Sequence, residues 1–329
     1  MSNRSYIKSV ALVSCQKPLS DGWFTAPEIP EKEYVRAQEP DSREFIVPSE
    51  ARRMSKILKR TICTSISALN KAGLSEPDAI ITGTGTGCME NSEKFLIDLS
   101  RYGESCLKPT LFMQSTHNTI SSLIAIVLKC HGYNNTYSHK DISFESSLLD
   151  GWLQVCGGMA RNVLVGSHDE VTPFMSLVLK RTHPEYNIVS ETSMASVISS
   201  DPDGSICELA GVTILHRACV RQVARYLDDD DNLLLLGTNG VPENDAPYDQ
   251  LLQYLGETTG TLQYKHIFGE NYSASAAALC VGVTIIEKQE IPAFLRRGYD
   301  VSVKNAIKGV TILNCSEDST WSIVKLKRN

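Results

Sequence analysis

Within the chain of 329 residues, the segment Ser143-Phe144-Glu145-Ser146-Ser147 has the make-up of a reactive helix start. Apolar side chains recur after it at Leu148, Leu149, Trp152, Leu153, Cys156 and Met159, a helical spacing that buries one broad face and leaves the first turn polar. Ser143 reads as the N-cap. A side chain two places later stands near the open amides and the positive end of the helix dipole, where a thiol's pKa falls or a carboxylate stays ionised. The chain places Glu145 there. Taken alone, the turn is either an altered active site or a well-capped helix. A second candidate, Gly83-Thr84-Gly85-Thr86-Gly87-Cys88, leaves an apolar run. It lacks the lysine of a phosphate loop, and its glycines are not spaced as in a dinucleotide G-x-G-x-x-G, so it reads as a tight strand-to-helix turn. Ten cysteines are scattered without a C-x-x-C, and no histidine pair stands at metal spacing. Neither a metal site, a disulfide framework nor a cofactor is expected, and most of the cysteines read as small buried apolar residues.

These groups need a scaffold, and the patterning describes one. A strand at residues 6–14 is followed by a Pro- and Glu-rich excursion over 17–48 that shows no periodicity. Met54, Ile57, Leu58, Thr61, Ile62, Ile66 and Leu69 mark an amphipathic helix closed by Gly73. A strand at 79–82, a helix at 118–129, the helix that starts near Glu145 and a strand at 162–166 continue an alternating order. After a polar stretch at 182–204 the order recurs: strand 211–215, helix 220–227, strand 233–236, helix 248–255, a small-residue helix at 273–279, and strands at 309–313 and 321–326. Buried strands alternating with helices in two comparable halves, 1–205 and 206–329, predict one compact layered α/β unit. The net charge of -6 argues against nucleic acid or an anionic membrane surface as partner. No apolar run approaches the ~20 residues that span a bilayer, and residues 1–8 lack a leader's apolar core, so a cytoplasmic location is expected.

Spaced motifs from about Arg52 onward resemble the β-ketoacyl synthases of the thiolase fold. Arg52-Arg53-Met54-Ser55 opens the long helix as in that family, and the glycine-rich exit at 83–88 with the residues after it is similar to theirs. Pro109-Thr110-Leu111-Phe112-Met113-Gln114-Ser115-Thr116-His117-Asn118 resembles S-P-x-x-F-x-x-S-x-x-N, and Val165-Gly166-Ser167-His168-Asp169-Glu170 resembles V-G-G-x-D-E. The resemblance implies a layered α/β/α/β/α fold built from two similar halves. It also sets Glu145 where the family's T-A-C-S-S has its cysteine nucleophile. The family's H-G-T-G-T-x-x-x-D is answered by the segment from Leu236 to Asp245, with Leu236 at the first histidine position, allowing for a slip of one residue. In K-x-x-x-G-H, Lys265 is kept and Glu270 takes the second histidine position, while Asn314-Cys315-Ser316-Glu317-Asp318-Ser319 replaces the G-F-G-G turn. A carboxylate is a poor nucleophile towards a thioester, and neither leucine nor an ionised glutamate offers the donor that stabilises an enolate. The resemblance therefore implies that the condensing reaction is not performed here.

What the family offers instead is the chain-length factor, a non-catalytic subunit that pairs with an active ketosynthase in polyketide, aryl-polyene or fatty-acid-like biosynthesis. Those subunits commonly carry glutamine at the cysteine position, so Glu145 departs from them too. The chain also looks short for the family. One alternative is altered acyl chemistry, such as malonyl-carrier decarboxylation, in which Glu145, Glu270 and Lys265 converge; another is a homodimer that binds an acyl ligand. By the same resemblance Phe112, Phe144, Phe268 and Asn314 are expected at the acyl site. Arg52, Arg53, Lys56, Lys59 and Arg60 offer a basic face to an acyl carrier protein, or form an ordinary solvated helix face. His139 and His266 fall outside the family's catalytic positions.

Overall fold

The computed structural model describes residues 4–227, 233–256, 260–297 and 306–329, except the side chain of Cys106. Residues 1–3 of the stretch read for a leader, and that cysteine's side chain, lie outside them. One ten-stranded sheet runs through the molecule: β1 (Tyr6–Val13), β2 (Ala79–Gly83), β3 (Tyr133–Tyr137), β4 (Asn162–Asp169), β5 (Thr192–Ser199), β6 (Cys207–Leu215), β7 (Leu233–Leu236), β8 (Thr261–Gln263), β9 (Gly309–Cys315) and β10 (Trp321–Arg328). The strand order is β3-β2-β4-β5-β1-β6-β10-β9-β7-β8. Read from its outer edge inward, each half repeats one plan. β2 lies parallel to β3 and β4, with β5 and β1 antiparallel beyond; β7 lies parallel to β8 and β9, with β10 and β6 antiparallel beyond. The halves join where Tyr6 and Ile7 of β1 pair with Glu208 and Cys207 of β6.

The longer helices are α1 (Lys56–Lys71), α2 (Met89–Tyr102), α3 (Thr119–Leu128), α4 (Ser143–Cys156), α5 (Pro173–Thr182), α6 (Pro242–Leu255) and α7 (Ala274–Lys288). Strand side chains alternate between faces, so each sheet surface takes its own helices. Val163 and Val165 face inward with Val310 and Ile312 onto a core that also holds Phe144 and Leu148 of α4 and Ala276 to Val281 of α7. Leu164 and Val197 face outward onto Ile57, Ile62 and Leu69 of α1. On the far side Leu234, Leu236 and Leu313 pack on Tyr248 and Leu251 of α6. Helices therefore lie between and outside the two halves, which gives the five layers α/β/α/β/α. Among the described residues no helix is long and apolar enough to cross a membrane.

Several local expectations change. The polar stretch 182–204 contains β5, a strand buried along its whole length. It was hidden because Thr-Ser-Met-Ala-Ser-Val-Ile-Ser has neither an apolar run nor a clean alternation. Its hydroxyls are satisfied inside, as where Ser196 Oγ donates to the Ser9 carbonyl at 3.0 Å. The aperiodic excursion carries Trp23 and Phe24 into the core, with the Trp23 ring 5.3 Å from that of Phe268. α6 begins at Pro242 rather than near 248, because proline fits the first helical turn where its missing N–H costs nothing. Residues Pro109–Met113 form a short helix. Arg60 leaves the basic face: it is buried, with Nε and Nη2 held by Glu39 at 3.0 and 2.6 Å and Nη2 also 3.0 Å from Glu191. Of the nine cysteines described, five are buried, three half-buried, and Cys219 is exposed.

The small residues of α7 answer to the space between the halves. A Cβ on Gly282 would stand 2.9 Å from Leu326 Cδ1, and Ala274 to Ile286 are all buried. Ala277→Leu should therefore destabilise the protein by about 1–3 kcal/mol through overpacking, read as a lower urea midpoint. An unchanged midpoint would mean that α7 has room that the packing denies it.

Candidate functional site

The glycine-rich exit of β2 binds a carboxylate, but an internal one. Asp169, at the end of β4, is fully buried. Its Oδ1 accepts from Thr84 Oγ1 at 2.9 Å, Thr86 N at 2.8 Å and Thr86 Oγ1 at 2.7 Å. Gly85 N lies 3.0 Å from the same oxygen, and Ser273 Oγ donates to Oδ2 at 2.6 Å. Successive amides of a turn make such an anion-binding hollow. Two glycines also allow close approach: a Cβ on Gly83 would lie 2.4 Å from the Ser143 carbonyl oxygen, and one on Gly85 2.3 Å from Tyr272 Cβ. The loop thus locks the first turn of α4 against β2 and the segment before α7 against β4.

In α4 itself Ile142 is the N-cap and makes no side-chain cap bond. Ser143 opens the helix instead: its Oγ accepts from His139 N at 2.9 Å and donates to the Lys140 carbonyl at 2.6 Å, which ties the preceding turn to the helix. Glu145 is buried, and its carboxyl reaches across the core to β9 and β10. Oε1 accepts from Ser322 Oγ of β10 at 2.9 Å and from Asn314 Nδ2 of β9 at 3.3 Å, while Oε2 has no partner. Burial, with some repulsion from Asp141, pushes this carboxyl up to about 7.

A cleft of about 600 Å³ opens between the start of α4 and the β9–β10 turn. Lys265, Glu270 and Asn314 line it, together with Asp141, Tyr264 and Tyr272. Lys265 Nζ pairs with Glu270 Oε2 at 3.2 Å, and Glu270 Oε1 accepts from Asn239 Nδ2 at 2.9 Å and Asn187 N at 3.1 Å. Glu145 does not join that pair. Its contacts are Asn314, whose Oδ1 in turn accepts from Tyr264 Oη at 2.8 Å, and Ser322, while the lysine pairs with Glu270 and its charge also reaches Asp141. Leu236 sits in the outer core with Tyr248 and Trp321, and Phe144 and Phe268 sit in the central core. Phe112 is 58% exposed and packs on Phe95 with ring centroids 5.5 Å apart.

Three further residues shape the site without having stood out in the sequence. Asp169 lies in the segment Val165–Glu170, and only the fold brings its donors to it. Asp141, two places before the helix, has its carboxyl raised by burial. Tyr272 had no local signal. The cysteine that lines the cleft, Cys315, is pushed up to about 12 by burial and then by the Asp141 and Asp318 carboxylates, so it remains a thiol at neutral pH. The arrangement offers a ligand hydrogen bonds and the Lys265–Glu270 ion pair.

Comparison with known proteins agrees with the layered architecture. The sequence profile of the beta-ketoacyl synthase N-terminal domain matches residues 23–208. A 3-oxoacyl-[acyl-carrier-protein] synthase 2 from Synechocystis sp. is 27% identical over 143 residues, 40% of this chain, and the match spans 34% of that protein's length. Among solved structures, the ishigamide ketosynthase/chain length factor superposes with a TM-score of 0.83 at 15% identity over the whole of both chains. A type II polyketide synthase acyl-carrier protein in complex with its ketosynthase gives 0.83 at 11% identity, again over the whole of both chains. The ketosynthase of Xenorhabdus doucetiae in complex with its chain length factor gives 0.77 at 15% identity, over 99% of this chain and 98% of that one. At these identities the likeness shows the fold.

The buried carboxyl makes stability depend on pH. Glu145 is raised from an ordinary 4.5 to about 7, so its contribution is fully present below about pH 4.5 and is lost as pH rises through about 7. Glu170, buried and likewise pushed up to about 7, acts in the same direction. Glu145→Gln keeps an acceptor for Ser322 and Asn314 without a charge. Between pH 5 and pH 8 the unmodified protein should lose about 2–3 kcal/mol more stability than the variant in urea unfolding. Parallel pH profiles would show that the carboxyl titrates normally.

Proposed function

The chain belongs to the β-ketoacyl synthase family, and on that basis we propose that it is a non-catalytic partner of an active ketosynthase in polyketide, aryl-polyene or fatty-acid-like biosynthesis. The observation that carries this reading is the state of Glu145. Buried, bound through one oxygen to Ser322 and Asn314, and favoured neutral below about pH 7, it is uncharged and close in size to the glutamine that chain-length factors commonly carry. A neutral carboxylic acid held this way supports packing and does not attack a thioester. Leu236 in the outer core and Glu270 paired with Lys265 supply no imidazole for decarboxylation. Lys265, Glu270 and Asn314 then serve to shape and polarise the cleft.

The sheet edge supports a partner chain. β3 is an outermost strand, paired only with β2, and it leaves one row of backbone groups open to another strand. Tyr133 on β3 is exposed, as are Ile126 on α3 and Leu153 on α4, the two helices that pack against this strand. A second copy of the chain is the competing occupant of that edge. Arg52, Arg53 and Lys56 remain exposed as contacts for an acyl carrier protein.

Incubation with labelled malonyl- and acyl-carrier protein, alone and with an active ketosynthase, separates the readings. The lone chain should neither take up an acyl group nor condense, and it should co-elute with the ketosynthase. The double variant Ile126→Asp/Tyr133→Asp should weaken that association at least about tenfold, ~1.4 kcal/mol, with an unchanged circular dichroism spectrum. Decarboxylation by the lone chain that disappears in Glu145→Ala would overturn the proposal, as would self-association that excludes the ketosynthase.

A further inference from the structure

At the mouth of the cleft, ligating atoms from two distant segments meet. His183 and Glu185 follow α5, and Glu317 lies in the turn between β9 and β10. His183 Nδ1 is 3.0 Å from Glu185 Oε1 and in still closer contact with Glu317 Oε1. The three ligating groups lie within 4.8 Å of one another. The imidazole is held from its other sides. Its Nε2 is 3.0 Å from Tyr272 Oη, Tyr186 stacks on the ring at 4.8 Å, and Tyr272 meets it edge-on at 5.8 Å.

One proton does not satisfy this arrangement. With Nε2 engaged by Tyr272, Nδ1 faces two carboxylate oxygens, and a single N–H can point at only one of them. The salt bridges of Glu185 and Glu317 both run to this histidine, the two carboxyls also face each other, and the nearby Lys265 pairs with Glu270. A divalent ion placed among the three groups accepts a lone pair from each at once. One imidazole and two carboxylates form a recognised donor set for zinc and its neighbours. The hydrogen bond from the far ring nitrogen to Tyr272 is the kind of outer contact that orients a metal-binding histidine.

We propose that His183, Glu185 and Glu317 bind one zinc-class divalent cation. The site ties the segment after α5 to the β9–β10 turn and so fixes the opening of the cleft. Three protein ligands leave a coordination position for water or for a donor atom of a molecule in the cleft. The sequence concealed the site, because His183 and Glu185 form no metal spacing with Glu317 until the fold brings that turn across.

The test uses the tag-free chain, stripped with a chelator and titrated with Co²⁺ and then Zn²⁺. Expected are one Co²⁺ per chain, visible d–d bands without near-ultraviolet thiolate charge transfer, and displacement by Zn²⁺. Glu317→Gln, at an exposed position, and His183→Ala should each weaken binding at least about tenfold, while Glu243→Gln on the same cleft should leave it unchanged. Absence of saturable binding, a thiolate band that traces the ion to cysteines, or full affinity in both ligand variants would overturn the assignment.

Discussion

The structure around the cleft hangs on the carboxylate of Asp169. A fully buried carboxylate is tolerable only when donors replace its water, and here a glycine-threonine turn and a serine from the other half of the chain supply them. The consequences spread from that point. Gly83 must lack a side chain so that α4 can start against β2, and Gly85 must lack one so that Tyr272 can pass. Tyr272 in turn steadies His183. A turn that looks in the sequence like a place for phosphate is thus an internal clasp between the two halves.

Because that clasp sets α4 in place, the side chain two residues after Ser143 is committed to the interior. Glu145 arrives beneath Asn314 and Ser322 with one oxygen satisfied and the other bare. The cleft above has its own balance, with Lys265 opposite Glu270 and tyrosines around them. Two carboxyls a short way apart therefore live under different rules. One is compensated by a cation and by amide donors; the other lies in surroundings that favour the proton.

Much of this was legible in the residues. Val163, Val165 and Leu164 announce a strand with two buried faces, and the run of alanines in α7 announces a crowded interior. The motif from Val165 to Glu170 marks the place of the clasp without revealing its use. What stayed hidden depends on long-range partners. β5 is made of small polar residues whose hydroxyls find acceptors only in the assembled core. Arg60 reads as one more surface cation until Glu39 and Glu191 close on it. The direction taken by the Glu145 carboxyl is set by β9 and β10, far along the chain, and no local pattern encodes it.

The position of β1 carries a consequence for how the protein is made. This strand lies in the middle of the sheet, paired along its length with β5 and at its start with β6. Both neighbours lie far downstream, so as the chain leaves the ribosome β1 has no sheet to join until all of the N-terminal half has emerged. Contacts of such long range carry a large closure entropy before they give anything back, and they slow folding. The nascent chain must therefore keep Ile7 and its neighbours away from other chains through most of its synthesis, and the seam between the halves closes late.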